Sequence, residues 1–178
     1  MPKFSITTRR GDAGDTRLFS GETVRKNAPR PSAYGDLDEL ISVLGVARAQ
    51  CRHAATQEAV LRLQRQLFVA GSELATTPGG FARLKQRVDA AMLAELDERC
   101  AALEARLTMP RGFIVPGASL AGAQLDVART VSRRVERQVV GLADAGEVKN
   151  AELLAWLNRL SDYLWLLARS EEDAPTML

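Results

Sequence analysis

The chain has 178 residues, enough for one domain whose core needs no disulfide or metal staple. Hydrophobic residues make up 46% and charged residues 26%, the balance of an ordinary soluble globular chain. A formal net charge of +2 is too small to argue for nucleic acid or an anionic membrane as partner.

Lys3, Lys26, Lys85 and Lys149 are the only lysines, so the positive charge is overwhelmingly arginine, the side chain suited to bidentate contact with anions. Cys51 and Cys100 stand alone in helical patterns, which points to a reducing compartment and away from a zinc site. His53 is the sole histidine and no Glu-x-x-His pair exists, so a di-iron bundle is not expected. No apolar run reaches membrane-spanning length and Met1 to Arg10 lacks a signal-peptide core; the expected location is cytoplasmic.

Residues 1–31 carry Gly11, Gly14, Gly21, Pro29 and Pro31 and read as an ordered arm, with a short extended piece around Phe4 to Thr7. Within it, Thr7 to Thr16 combines hydroxyls, arginines and two glycines, the ingredients of a phosphate cradle, and Lys26 can add a mobile charge. The Gly-Lys-Ser/Thr ending of a Walker A loop is absent, and a flexible N-terminal tail fits the same composition.

From about Ser32 to Cys51, Leu37, Leu40, Ile41, Leu44 and Ala47 form a helical stripe, with Asp36, Asp38 and Glu39 in the early turns. A second helix is expected from about Thr56 to Thr77 through Val60, Leu63, Leu67, Ala70 and Leu74, stopped by Pro78-Gly-Gly80. A third fits about Val88 to Leu107, with Ala91, Leu93, Leu96, Cys100 and Leu103 inward and Glu95, Glu98, Arg99, Glu104 and Arg106 outward. After Phe113-Ile-Val-Pro-Gly117, a fourth runs from about Ser119, its expected cap, to Ala143. A fifth spans about Ala151 to Arg169 on Leu153, Trp156, Leu157, Leu160, Leu164 and Leu167, and Glu171 to Leu178 reads as a frayed tail. The architecture is therefore all-α, an antiparallel five-helix bundle preceded by an ordered N-terminal arm: one domain over 1–178, with the bundle at 32–170 and a tail at 171–178.

The fourth helix carries the unusual chemistry. Leu125, Ala128, Val131, Val135, Val139 and Leu142 fall on one apolar stripe, and Arg129, Arg133 and Glu136 gather beside it while Arg134 and Arg137 point elsewhere. Two arginines beside one glutamate can bind a polyphosphate while the carboxylate orients them; a salt-bridged face on an ordinary helix has the same spacing. On the fifth helix Asn158, Asp162 and Trp165 share a face, where Asn158 can bond a nucleotide or position the fourth helix.

Taken together, the segments resemble a family. The Thr-Arg-x-Gly-Asp-x-Gly arm, Ala33-Tyr-Gly-Asp-Leu-Asp-Glu-Leu40, Phe-Ile-Val-Pro-Gly, Ala128-Arg-Thr-Val-Ser-Arg-Arg-Val-Glu-Arg137 and Asn158-Arg-Leu-Ser-Asp162 occur in the order and spacing of the PduO-type ATP:cob(I)alamin adenosyltransferases, from about Ile6 to Arg169. The resemblance implies the ferritin-like five-helix bundle of that family, assembled as a homotrimer with ATP and corrinoid meeting at each subunit boundary. The implied reaction moves the 5′-deoxyadenosyl group of ATP to cob(I)alamin, giving adenosylcobalamin and triphosphate.

Carried over residue by residue, Thr8, Arg9, Arg10, Gly11, Asp12, Gly14, Thr16 and Lys26 would wrap the triphosphate together with Mg²⁺, which ATP itself would mainly hold, with no protein side chain expected as a metal ligand. Arg133 and Glu136 would contact ATP and assist transfer, and Asn158 would hold the nucleotide. Arg129 would pair with Asp38 across the subunit boundary. Phe113 would press beneath the corrin to displace the lower ligand, with Asp162 also on the corrinoid side. A cobalamin reductase and an adenosylcobalamin-dependent enzyme, such as methylmalonyl-CoA mutase or diol dehydratase, are the implied partners, and neither nucleic acid nor membrane is. A carbon–cobalt bond forms through the metal's own nucleophilicity, so no side-chain nucleophile need be visible.

The chain departs from the family pattern at Arg10, Asp15, Ile41, Ala118 and Asp126, which stand where Thr, a non-acidic residue, Asn, Gly and His are usual. These departures fall on the arm and the corrinoid side, and they motivate an alternative: a catalytically weak nucleotide- or corrinoid-binding carrier or sensor of the same fold. A bare scaffold is the remaining alternative, and it leaves the glycine-rich arm unexplained.

Overall fold

The computed structural model describes residues 6–178 and contains five long helices: α1 Pro29–Gln50, α2 Ala54–Leu74, α3 Ala90–Glu104, α4 Leu120–Asp144 and α5 Ala151–Ser170. Two small antiparallel ladders accompany them, β1 Asp15–Arg17 with β2 Thr23–Arg25, and β3 Ile114–Val115 with β4 Thr176–Met177. Among the described residues no helix is long and apolar enough to cross a membrane.

The apolar stripes of α2, α4 and α5 are buried as their spacing demands, with Leu67, Leu125, Val135, Val139, Trp156 and Leu160 fully enclosed. Helix α1 packs between α2 and α4, and α5 between α4 and α3. The neighbours α1 and α4, and α4 and α5, run in opposite directions: Arg134 and Gln138 of α4 reach Glu39 and Asp36 of α1, and Asn158 and Arg169 of α5 reach Glu136 and Asp126 of α4. The pair α3 and α5 is parallel, as alternation along the chain requires of the third and fifth helices. Asp97 meets Arg159 and Arg99 lies with Tyr163, so contacts ascend together along the two helices.

Several boundaries differ from the sequence expectation. Helix α1 starts at Pro29 rather than Ser32, because proline at the first helical position loses only an N–H that the helix could not bond. Helix α2 ends at Leu74, before Pro78-Gly-Gly80, which opens a 3-10 turn, Pro78–Arg83. In α3 it is Met92, not the exposed Ala91, that turns inward. Glu95 and Arg99, expected outward, are half-buried because Glu95 binds both Arg62 of α2 and Arg99. Ser119 does cap α4, accepting from Gly122 N at 2.9 Å. Asn150 caps α5 and also donates to Glu73 and to the Val88 carbonyl.

The extended piece expected around Phe4 to Thr7 falls partly outside the described residues, and Ile6 and Thr7 are not in a strand. The arm's hairpin is formed instead by β1 and β2, and it docks where α2 ends: Phe19 N donates to Ala75 O, and Thr77 donates to Glu22 at 2.6 Å. The tail is not frayed. Glu171 is fully buried, its carboxylate accepts from the backbone N–H groups of Arg52 and His53, and β4 pairs with β3.

The two ends of the bundle are fixed by buried charge. At the arm end Arg30 donates to Glu147 Oε2 at 2.9 Å and to the carbonyls of Glu147, Leu74 and Thr76, gathering the C-termini of α2 and α4 around the start of α1. Losing it strands carbonyls away from water. Arg30→Ala is expected to cost about 3 kcal/mol in urea unfolding, and Glu147→Ala markedly less because its carboxylate is half-exposed; equal small losses would contradict this role.

Hydrogen bonds from Ser20 and Thr77 hold the Glu22 carboxyl down to about 2, well below its ordinary value of 4.5. A depressed carboxyl contributes its docking contact above about pH 4.5, and that contribution is lost as pH falls through about 2. An NMR titration should place its midpoint near 2 and find it raised in Thr77→Val; a midpoint unmoved by that substitution would remove Thr77 from the explanation.

Candidate active site

The charged strip beside the buried stripe of α4 is assembled largely as its spacing implies. Arg133 and Glu136, one turn apart, border the α5 face, and Glu136 Oε1 accepts from Asn158 Nδ2 at 3.0 Å. That bond fixes the amide and leaves its oxygen available to accept from a ligand. Arg133 is exposed and makes no ion pair among the described residues. The neighbouring Arg134 is engaged within the chain, 3.0 Å from Asp36 and bonded to Glu39.

Arg129 meets Asp126 through Nε at 3.2 Å, and Asp126 is itself buried against Arg169. Thus the acid standing where the family pattern has histidine is compensated inside the chain. Asp38 is exposed and does not meet Arg129 within one protomer; it lies beside an apolar hollow of about 350 Å³ with Phe19, Tyr34, Leu37, Ile41 and Phe68. Asp162 is paired with Arg159 at 3.1 Å, and the Arg169 guanidinium lies 5.3 Å from the Trp165 ring centroid.

The arm builds a second concavity, about 560 Å³, from Thr8, Arg10, Gly11, Thr16 and Lys26, with Arg17, Thr23 and Asp15 completing it. Arg9 and Asp12 do not line it; Arg9 forms the adjoining turn with a positive φ of 57°. Gly14 shapes the rim: its φ is +86°, a Cβ would lie 2.8 Å from the Arg25 guanidinium, and its carbonyl accepts from Lys26 N.

Asp15 does not stand as an uncompensated acid. Arg25 binds its carboxylate at 3.0 Å and the Ala13 carbonyl at 2.9 Å. The sequence reading missed Arg25, Arg17 and Thr23 because it placed the extended segment earlier; the hairpin register pairs Asp15 directly with Arg25 and would have revealed the partner.

Phe113, in the crossover before β3, is 82% exposed, so its ring packs on little of its own chain. The separation of these parts is the most informative feature. The arm docks at the α2 C-terminus, beside the start of α5 through Glu73 and Asn150, whereas the α4 N-terminus that follows Phe113 lies beside the end of α5 through Asp126 and Arg169. The 20 residues of α5 therefore span the gap, a distance of about 30 Å. The Glu136 and Asn158 pair sits between, and no hydrogen bond or ion pair among the described residues joins it to the arm's concavity.

Neither cysteine offers an alternative chemistry. Burial pushes both the Cys51 and Cys100 thiols up to about 11, so each is an unionised core group at neutral pH.

Comparison with known proteins gives the same assignment over nearly the whole chain. The sequence pattern of the family described as cobalamin adenosyltransferase matches residues 6–171. A corrinoid adenosyltransferase of Citrobacter freundii is 42% identical over 175 residues, covering 97% of each chain. The corrinoid adenosyltransferase PduO of Salmonella typhimurium is 39% identical over 172 residues; these cover 95% of this chain but only 50% of that protein, so the chain spans about half the length of that relative. A variant PduO-type ATP:corrinoid adenosyltransferase from Lactobacillus reuteri, complexed with cobalamin and ATP, superposes with a TM-score of 0.88 at 31% identity, covering 98% of this chain and 99% of that one. This chain belongs to the PduO-type cobalamin adenosyltransferase family, enzymes that transfer the adenosyl group of ATP to cob(I)alamin.

Proposed function

We propose that the chain carries out this transfer at a site completed only between two protomers of a homotrimer. The observation that carries the proposal is the separation of its parts: a basic cradle at one end, the Arg133, Glu136 and Asn158 cluster in the middle, and an exposed Phe113 at the other end of one bundle. A neighbour's arm laid against the α4 face brings cradle and cluster together. The apolar hollow beside Asp38, with Phe19 and Phe68 exposed, is suited to such packing. Arg129 uses only Nε toward Asp126, which leaves its terminal nitrogens for Asp38 of a neighbouring subunit.

In this reading Thr8, Arg10, Gly11, Thr16 and Lys26 hold the triphosphate, while Arg9, Asp12 and Gly14 shape the turn around it. Mg²⁺ would sit on the phosphate oxygens, where hydroxyls such as Thr8 and Thr16 are the hard donors nearby, and would help neutralise the leaving group. Glu136 orients Asn158, whose amide oxygen accepts from the nucleoside. Phe113 presses on the lower face of the corrin, removing the axial ligand so that a reductase can deliver the electron converting cobalt(II) to cobalt(I).

The cobalt(I) electron pair then forms the bond to C5′ as the C5′–O bond breaks, and the departing triphosphate takes that bond's electrons. Negative charge grows on the leaving oxygen, and Arg133, exposed and without an ion pair among the described residues, is placed to meet it. The product would pass to an adenosylcobalamin-dependent enzyme, and the cytoplasm is the proposed setting.

With ATP, Mg²⁺ and cob(I)alamin, Arg133→Ala should lower kcat/KM by roughly 10²- to 10³-fold, measured by cobalt–carbon bond formation, without loss of thermal stability; an unchanged rate would remove Arg133 from the mechanism. Arg25→Ala should raise the KM for ATP roughly five- to tenfold by exposing Asp15 to the phosphates, and Asp15→Asn should restore most of it. Additive damage in the double variant would argue against that compensation.

A further inference from the structure

The residues after α5 form a connected set of anchors. Glu171 binds the backbone N–H groups of Arg52 and His53 at 2.7 and 3.2 Å, and Arg52 returns a bond to the Glu171 carbonyl. Arg169, buried, binds Asp126 at 2.5 Å and Glu172 at 2.7 and 2.9 Å. Gly122 is the residue that lets Glu172 approach α4, since a Cβ there would lie 2.8 Å from its carboxylate. The chain then pairs Thr176–Met177 with Ile114–Val115, and Leu178 N donates to the Phe113 carbonyl at 3.0 Å.

Phe113 has little packing of its own, and a two-residue strand has no stability alone. The place from which its ring projects is therefore set by the backbone it sits on, and the partner of that backbone is the C-terminal segment. We propose that residues 169–178 are a strap that positions Phe113 for the corrinoid, with the Leu178 N–H as the closing bond and the Asp126–Arg169–Glu172 cluster as its anchor. This rests on the reading of Phe113 as the corrinoid contact. It also gives Asp126 a purpose: the acid found in place of histidine ties the strap to α4. The segment is a positioning device; it touches neither cobalt nor ATP.

Leu178→Pro removes the N–H while keeping Met177 extended, and the Leu178 side chain is 91% exposed, so the substitution acts on one bond. Together with a chain ending at Ser170 plus five residues, that is lacking 176–178, it should raise the KM for cob(I)alamin about fivefold or more. It should also reduce the four-coordinate signal of cob(II)alamin on the ATP-bound protein, seen by electron paramagnetic resonance. The KM for ATP and the melting temperature should not move. Phe113→Ala is measured alongside. If Phe113→Ala impairs corrinoid handling and the two strap variants do not, the strap is refuted while the reading of Phe113 stands. If Phe113→Ala has no effect, both fall. A strap variant that alters ATP KM and melting temperature as much as corrinoid KM would show a merely structural role and would also overturn the proposal.

Discussion

Helix α4 has to bury one continuous apolar face between α1 and α5, and that requirement fixes the direction of every other residue on it. With Leu125, Val131, Val135, Val139 and Leu142 committed inward, Arg133 and Glu136 can lie only along the border. Antiparallel packing then brings Asn158 of α5 against Glu136. The charged strip is thus a by-product of core formation, held on rigid helices rather than on loops, which suits the precise placement that the proposed displacement reaction would need.

The same rigidity keeps the arm and Phe113 apart. Both ends are closed by buried ionic groups: Arg30 with the carbonyls of α2 and its surroundings, and Asp126 with Arg169 and Glu172. Such groups add little net stability compared with apolar packing, but they tolerate few alternative arrangements, so they specify where the helix ends lie. If the arm is the phosphate cradle and Phe113 the aromatic wedge, as proposed, one chain holds them too far apart to close a single site on itself. The proposed association of identical chains would overcome this without any bending of the bundle.

The bundle was legible in the sequence because apolar spacing survives in every long helix; the stripes of α2, α4 and α5 could be read almost residue by residue. The termini of the elements were less legible. Pro29 and Pro31 carry a breaker's signature, yet their position at a helix start makes them compatible with α1. The docking of Glu171 and Glu172 was hidden, since charged residues after a last apolar turn look solvated unless distant Arg52 and Gly122 are known to meet them. In the site, the adjacency of Arg133, Glu136 and Asn158 followed from helical spacing together with the family resemblance. The partner of Asp15 did not, because it depends on the register of a three-residue hairpin. Asp126 read as a departure from a pattern, and only the fold shows the guanidinium that balances it.

The central claim is that one protomer supplies the cradle and its neighbour the α4 strip, and subunit mixing tests it directly. Protomers carrying Arg10→Ala with Lys26→Ala and protomers carrying Arg133→Ala, each inactive alone, would be unfolded together and refolded one to one. Random trimers should regain about one quarter of the native activity per seam, because that fraction pairs an intact arm with an intact strip. A mixture as inactive as its components, in trimers shown to contain both, would place the whole site within one chain and contradict the account.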